Sequence, residues 1–279
     1  MAETTRFAPS PSGALHLGHA HSALFSAKAA GSGRFLLRIE NIDQARCDQK
    51  YATALLEDLA WLGLRWEQPV RRQSEHLDLS QAALTQLGEA GLVYPCFCTR
   101  GDIQREIAGA LAAPHGPDGP LYPGLCRGLS NSERRDRRES GQTFALRLDM
   151  AKARQRSGAL TWRDLNKGDI DARPETLGDV VLARKDIGTS YHLAVTLDDA
   201  LQGITLVTRG EDLFHATHLH RLLQALLDLP VPRWHHHRLL TDTQGRRLAK
   251  RHNALSLRSL REAGKTPAEV RALAAFPDA

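Results

Sequence analysis

The sequence predicts an α/β fold built on a parallel sheet. Three observations predict it. Short apolar runs alternate with longer stretches of helical periodicity through the first 93 residues, the pattern that lays helices on the faces of a parallel sheet. A Pro/Ser/Gly turn closed by His16-Leu17-Gly18-His19 joins the first apolar run to the first helical stretch, where open α/β sheets bind ligands. The same texture resumes after residue 185, following a region of different composition.

Taken in order, Thr4 to Ala8 reads as a first strand. Pro9 and Pro11 exclude a central strand beyond it and fix an extended approach. A helix runs from His16 to about Ala30 and ends at Gly31-Ser32-Gly33. Arg34 to Glu40 is a second strand, apolar enough for a buried position. Gln49 to Leu62 repeats Ala52, Leu55, Leu56, Leu59 and Leu62 at helical spacing, and His76 to Ala90 is a further helix closed by Gly91.

Residues 94–185 read as an insertion. They hold three cysteines, a Pro/Gly-rich loop from Pro114 to Gly124, and arginine runs at 134–138 and 152–156 on expected helices. Thr143 to Leu148 and Leu160 to Leu165 look like strands. Beyond Asp179, Tyr191 to Leu197 alternates like a strand, Ile204 to Thr208 is another, and Arg209 to Asp212 reads as a turn. Thr217 to Leu227 is an apolar helix stopped by Pro230. His235-His236-His237 reads as an exposed strand end without an assigned role, and Arg238 to Thr241 as a last short strand. The expected division is 1–93, first half of the sheet; 94–185, insertion; 186–240, second half; and 241–279, a basic loop with short terminal helices.

The 279 residues suffice for one large domain or two modest ones, and 42% hydrophobic residues support a core. Thirty-seven Lys and Arg against 32 Asp and Glu leave a charge of +5. That permits a nucleic-acid partner without requiring one. No apolar run approaches the roughly 18 residues that span a bilayer. The opening Met-Ala-Glu-Thr-Thr-Arg carries no apolar targeting segment, so a cytoplasmic location is the expectation. Four cysteines, at 47, 96, 98 and 126, are too few for a disulfide framework.

Five constellations carry chemistry. Gly13 and Gly18 let backbone approach a ligand, and a helix start offers unpaired N–H groups to phosphate. His16 and His19 share one face of that first turn. Arg6 and Ser10 suit an anionic or zwitterionic small molecule. Glu40, in Arg38-Ile-Glu-Asn-Ile-Asp43, sits at the carboxyl end of an expected parallel strand. Tyr191-His-Leu-Ala-Val, Asp198-Asp199 and Arg209-Gly-Glu-Asp212 form a third group, and Arg247-Leu-Ala-Lys250-Arg251 is a basic turn. Read singly, each is equally a solvated helix end, strand end or turn. Finally, Cys96-x-Cys98 with Cys126 offers three thiols to tetrahedral zinc. Chemistry alone favours His115 as the fourth ligand.

Together these segments resemble the class I aminoacyl-tRNA synthetases for glutamate and glutamine, in order and along nearly the whole chain. Arg6 to His21 resembles their nucleotide-binding motif. Arg38 to Asp43 resembles an R-I-E-D-T-D run, departing at Asn41 and Ile42. Arg247 to Arg251 resembles the K-M-S-K-S loop, with Arg247 for the first Lys and Ala249 for the Ser. Cys96-x-Cys98 with Tyr122 and Cys126 resembles the zinc site of the short glutamyl-queuosine tRNA(Asp) synthetase family, which implies Tyr122 as the fourth ligand, His115 being the alternative. Only 28 residues (252–279) follow Arg251, so the expectation is a chain without an anticodon-binding domain, which resembles the layout of that short family.

The resemblance implies a Rossmann-type class I parallel sheet, an inserted zinc-containing α+β subdomain and a short helical tail. It implies a ligase that activates L-glutamate with ATP and Mg²⁺, then transfers it to queuosine in the anticodon loop of tRNA(Asp), acting as a monomer. Arg6, Phe7, Ala8, Pro9, Ser10, Glu40, Tyr191 and Arg209 would bind glutamate. His16, Gly18, His19 and Lys250 would bind ATP, with His16, His19 and Lys250 catalytic. The insertion's arginines would hold the RNA backbone. The same residues also suit a truncated enzyme charging a tRNA 3′ end. They suit as well a non-catalytic RNA-binding paralogue, which Arg247 and Ala249 favour.

Overall fold

The structure, a computed structural model, describes residues 2–109, 115–117, 119–241 and 256–276. The chain begins β1 (Thr4–Phe7), α1 (Leu17–Ala30), β2 (Arg34–Ile39), α2 (Gln49–Trp61), β3 (Glu67–Arg72) and α3 (Leu77–Glu89). Next come β4 (Val93–Cys96), α4 (Arg100–Gly109), the short strands β5 (His115–Gly116) and β6 (Gly119–Pro120), α5 (Asn131–Glu139), β7 (Ala145–Leu148) and α6 (Met150–Ser157). Strands β8 (Thr161–Asp164), β9 (Gly168–Asp171) and β10 (Val181–Ala183) follow. The rest is α7 (Tyr191–Leu201), β11 (Leu206–Gly210), α8 (Ala216–Leu226), β12 (Arg233–His237), α9 (Leu257–Glu262) and α10 (Pro267–Leu273).

The expected parallel sheet is present in two parts. β2 pairs in parallel with β1 and β3. β12 pairs in parallel with β11 and β8, and β9 adds antiparallel to β8. The parts abut along β1 and β11: the Thr205 amide donates to the Thr4 carbonyl at 3.0 Å, and Arg6 NH1 donates to the Thr208 carbonyl at 3.1 Å. A separate antiparallel sheet runs β10-β7-β4. The range 94–185 thus supplies that second sheet but also β8 and β9, which extend the parallel one beside β12.

Helix α1 lies against β1 and β11 on small side chains. Ala20, Ala23 and Ala30 are buried, and Ser26 Oγ comes 2.6 Å from Thr208 Oγ1. Thr5 Oγ1 donates to the Ser26 carbonyl at 2.8 Å. Alanine and serine let the helix axis approach the strands, and the two hydroxyls satisfy each other where no water reaches. Leu37, Ile39, Leu55, Leu59 and Leu62 close the core on this side. Cutting one of them to alanine costs about 2–5 kcal/mol.

Four expectations need correction. Tyr191 to Leu197 is the start of helix α7, not a strand. Ser190 caps it by accepting from the Leu193 amide. Leu193, Ala194, Val195, Thr196, Asp198 and Asp199 are all buried, so no polar face interrupts the run, and the two acids that should mark solvent are in ion pairs. The last strand is Arg233–His237 rather than Arg238 to Thr241. Its histidines 236 and 237 are buried, because β12 lies between β11 and β8. Arg209 is not in a turn: it lies within β11, and the chain turns at Glu211–Leu213. Finally, β3 and β4 are strands that the periodicity did not disclose; the exposed start of β3, Glu67-Gln68-Pro69, carries no apolar alternation.

Candidate active site

The carboxyl ends of β1, β2 and β11 face the start of α1 across a cavity of about 280 Å³. Arg6, Phe7, Ala8, Pro9, Ser10, His16, Gly18, His19, Glu40, Tyr191 and Arg209 all line it. Every sequence-expected glutamate and ATP residue among the described residues is therefore brought to one place. Lys250, with Arg247, Ala249 and Arg251, lies outside the described residues. Gly210 also lines the cavity, and a Cβ there would meet Asp212 Oδ1 at 2.5 Å and Leu239 Cδ2 at 2.6 Å, so both side chains would have to shift.

The histidines at the helix start cap each other. His16 Nδ1 accepts from the Gly18 amide at 3.1 Å, and His19 Nδ1 accepts from the His16 amide at 3.1 Å. Their rings lie 3.8 Å apart. This is a capping box built from imidazoles in place of the usual hydroxyl and carboxylate. Because both Nδ1 atoms accept, the neutral rings carry their proton on Nε2. Each ring is then a donor at a helix N-terminus, the arrangement that suits an anionic phosphate.

Beneath the cavity lies a buried charge network. Arg6 Nε and NH2 meet the two oxygens of Asp199 at 2.9 and 3.2 Å. Arg38 NH1 meets Asp199 Oδ1 at 2.8 Å and Arg38 NH2 meets Glu40 at 3.1 Å. Arg71 and Gln73 hold the neighbouring Asp198 at 2.6 and 2.8 Å. Burial opposes ionisation of Asp199, but Arg6 and Arg38 outweigh it and hold its pKa below the ordinary value. For Arg38, burial works against the cation, yet Asp199, Glu40 and Asp198 raise its pKa. Glu40 is different: burial dominates, and its pKa is raised despite Arg38 and Arg6. Glu40 is the carboxylate of this group with the least compensation, and a ligand ammonium beside it would supply the missing charge.

Arg209 is the complementary case. It is 6% exposed, and burial lowers its pKa. Its Nε donates to His236 Nε2 at 3.2 Å, NH1 donates to His220 Nδ1 at 3.1 Å, and NH2 donates to Thr217 Oγ1. Among the described residues no carboxylate lies within the 4.0 Å of an ion pair. A buried guanidinium with neutral partners is costly, and an anionic ligand group in the cavity would offset that cost.

A second, wider cleft of about 630 Å³ opens beside the first and shares Ser10, Glu40 and Tyr191 with it. Its far wall carries Tyr122, Arg147 and Arg184. Arg184 NH1 reaches Asp43 Oδ2 at 2.8 Å, which ties the end of β10 to the turn after β2.

The three cysteines cluster as expected. The sulfurs of Cys96, Cys98 and Cys126 lie within 4.8 Å of one another, Cys98 to Cys126 at 3.4 Å. Tyr122 Oη sits among them, 3.3 Å from Cys96 and 3.5 Å from Cys98. Tetrahedral zinc with Zn–S near ~2.3 Å and Zn–O near ~2.0 Å spaces its ligands by about 3.5–3.8 Å, and the separations of 3.3, 3.5 and 3.4 Å among these donors are close to that. His115 instead lines another cavity, with Asp171, His215 and His218. Cys47 stands apart, its sulfur 3.5 Å from Ser10 Oγ.

The sequence marked Asp198 and Asp199 without a task and His236 as an exposed strand end, and it gave no role to Asp164, Thr217 or His220. Two adjacent acids inside an apolar segment are the signal that could have found the first pair. The histidines carried no such signal, because their partners lie up to 72 residues away.

A family model described as tRNA synthetases class I (E and Q), catalytic domain, matches residues 3–274. The chain is 51% identical over 280 residues to the glutamyl-Q tRNA(Asp) synthetase of Rhodobacter capsulatus, covering 96% of this chain and 98% of that one. It is 44% identical to the protein of the same name from Nocardia farcinica, covering 96% and 82%. The glutamate–tRNA ligase of Aquifex aeolicus is 39% identical, with 94% of this chain but 54% of that one covered. Among solved structures, a glutamate tRNA ligase from Elizabethkingia meningosepticum, in complex with its amino acid, superposes with a TM-score of 0.80 at 25% identity. That match covers 98% of this chain and 60% of the ligase.

Proposed function

The chain belongs to the class I tRNA synthetase family of the glutamate and glutamine enzymes, and from that premise we propose that it activates L-glutamate with ATP and transfers it to queuosine in tRNA(Asp). The observation that carries the amino acid is Arg209, a buried cation whose partners are all neutral. A side-chain carboxylate completes it, whereas the amide of glutamine would leave its charge uncompensated. Support for the acceptor comes from the Rhodobacter relative, which is named a glutamyl-Q tRNA(Asp) synthetase and matches over 96% of this chain and 98% of its own length.

On this reading Glu40 receives the α-ammonium group, Arg209 the side-chain carboxylate, and Phe7 to Ser10 with Tyr191 form the walls. His16, His19 and the amides beside Gly18 receive phosphate oxygens. An α-carboxylate oxygen attacks the α-phosphorus, the P–O bond to pyrophosphate breaks, and pyrophosphate leaves with that electron pair. Lys250 is assigned the charge that develops there, together with Mg²⁺ brought by ATP. Positioning and charge stabilisation do the work, without a protein nucleophile. A hydroxyl oxygen of the acceptor base then attacks the carbonyl carbon, AMP departs, and the hydroxyl proton is lost to solvent. The wider cleft beside Ser10 and Tyr191 gives the acceptor its approach. Cys96, Cys98, Tyr122 and Cys126 would hold one zinc ion, fixing β4 against the loop at Tyr122 without entering the chemistry. Residues 94–185 act as the RNA-facing part, in a cytoplasmic monomer.

The test is incubation with ATP, labelled glutamate and tRNA from cells with and without queuosine. Label is expected only in queuosine-containing tRNA(Asp), and after nuclease digestion it should stay with the modified nucleoside of the anticodon loop. Label released with the 3′-terminal adenosine would instead identify a tRNA-charging enzyme. Absence of glutamate-dependent exchange between pyrophosphate and ATP would point to a non-catalytic RNA-binding protein.

A further inference from the structure

The guanidinium of Arg209 can only donate hydrogen bonds, and this fixes the protonation of everything around it. His236 Nε2, 3.2 Å from Arg209 Nε, must accept, so its proton is on Nδ1. That Nδ1 lies 2.7 Å from Asp164 Oδ2, and the His236 amide donates to the same oxygen at 3.2 Å. Asp164 and His236 are both essentially inaccessible, at 0% and 1% exposure. On the other side His220 Nδ1 accepts from Arg209, so its proton is on Nε2, 3.1 Å from His192 Nδ1.

The arginine is thus clamped at three nitrogens by His236, His220 and Thr217. Two of its five N–H groups remain, one on each terminal nitrogen, on the side where the neutral Tyr191 phenol also interacts with the guanidinium. The nearest protein anion in this chain of bonds is Asp164, one imidazole away. Asp164 also accepts from the Asn166 and Lys167 amides at 2.9 and 3.1 Å, so the turn between β8 and β9 holds its carboxylate in place. The geometry points to Asp164 and His236 as positioning residues that aim Arg209 and determine selection of a carboxylate over an amide. A direct Asp–Arg pair would neutralise the cation and remove its need for the substrate. The interposed neutral imidazole orients the guanidinium and lets Asp164 balance it from a distance, leaving the fork for an anion. The assignment rests on the glutamate-activating reading.

The experiment is pyrophosphate–ATP exchange with full-length protein and His236→Ala, His236→Gln and Asp164→Asn, varying glutamate, glutamine and ATP separately. His236→Ala is expected to raise KM for glutamate by about tenfold or more, with kcat within about threefold and KM for ATP unchanged. The preference for glutamate over glutamine should fall with it. His236→Gln returns an acceptor near Nε2 and should recover most of the loss, and Asp164→Asn should shift KM in the same direction. Should His236→Ala fail to fold, the other two variants carry the test. Equal rises in KM for ATP and glutamate, or none, in an active protein would overturn the positioning role alone. A wild-type protein inert with glutamate would overturn it together with the reading it rests on.

Discussion

Arg6 grips Asp199 through two nitrogens, at 2.9 and 3.2 Å, across 193 residues of sequence. Arg38 reaches the same carboxylate at 2.8 Å. One buried acid on α7 therefore ties down β1 and β2 where their carboxyl ends reach the cavity. Asp199→Asn removes the charge with little change of shape and leaves two buried guanidiniums undercompensated. Breaking such a pair from one side costs about 3–5 kcal/mol. Urea unfolding is expected to show a loss of that order, with a raised KM for glutamate. A loss under about 1 kcal/mol would mean that both arginines reach solvent, as exposed pairs do.

The mutual cap of His16 and His19 separates two roles of one ring. His19→Asn keeps an acceptor for the His16 amide but loses Nε2. His19→Ala loses both. Both variants should lose at least about tenfold in kcat/KM for ATP, as removal of a transition-state donor does. Only His19→Ala should also lose about 1 kcal/mol of stability, the usual worth of a helix cap. Wild-type activity in His19→Asn would take the imidazole out of phosphate binding.

The cavity was legible because its residues sit at strand ends and one helix start, positions that local sequence marks with Pro, Gly and strand-like runs. Glu40 and His16 could be placed from their neighbours alone. Tyr191 lines the cavity but from a helix rather than the expected strand, since α7 is buried nearly all round and its acids are masked by Arg6, Arg38 and Arg71. His236 was read as exposed because nothing near it in sequence announces Asp164. Long-range polar pairs decide such positions, and no local period records them.

The cysteine cluster makes a definite claim about metal. Protein purified without chelator should carry about one zinc per chain. Cys98→Ser should lose it, and Tyr122→Phe should bind it more weakly, since Tyr122 Oη lies 3.3 and 3.5 Å from two of the sulfurs. His115→Ala should keep full metal, because His115 lines a different cavity from the sulfurs. Elemental analysis below about half an equivalent would remove the site, and full zinc in Tyr122→Phe would remove the phenol from it.

The buried histidines make the fold acid-sensitive. Burial, reinforced by Arg209, pushes His236 down to about 4 and His220 well below its ordinary value. His218, His235 and His237 are lowered too, burial again being the chief cause. Each folded pKa lies below the unfolded value near 6.5. The unfolded chain therefore binds more protons once pH drops below that value. The stability these rings contribute is complete above it and is lost as pH falls toward the folded pKa. Each titrating group costs about 1.4 kcal/mol per pH unit inside its window. Glu40 and Asp58, raised by burial, oppose the trend, but the histidines outnumber them. Urea unfolding at about pH 7, 6 and 5 should show stability falling at each step, and His236→Gln should flatten the slope by about one proton. A stability constant across that range would mean that the rings are charged inside the fold, and the donor pattern around Arg209 would have to be reversed.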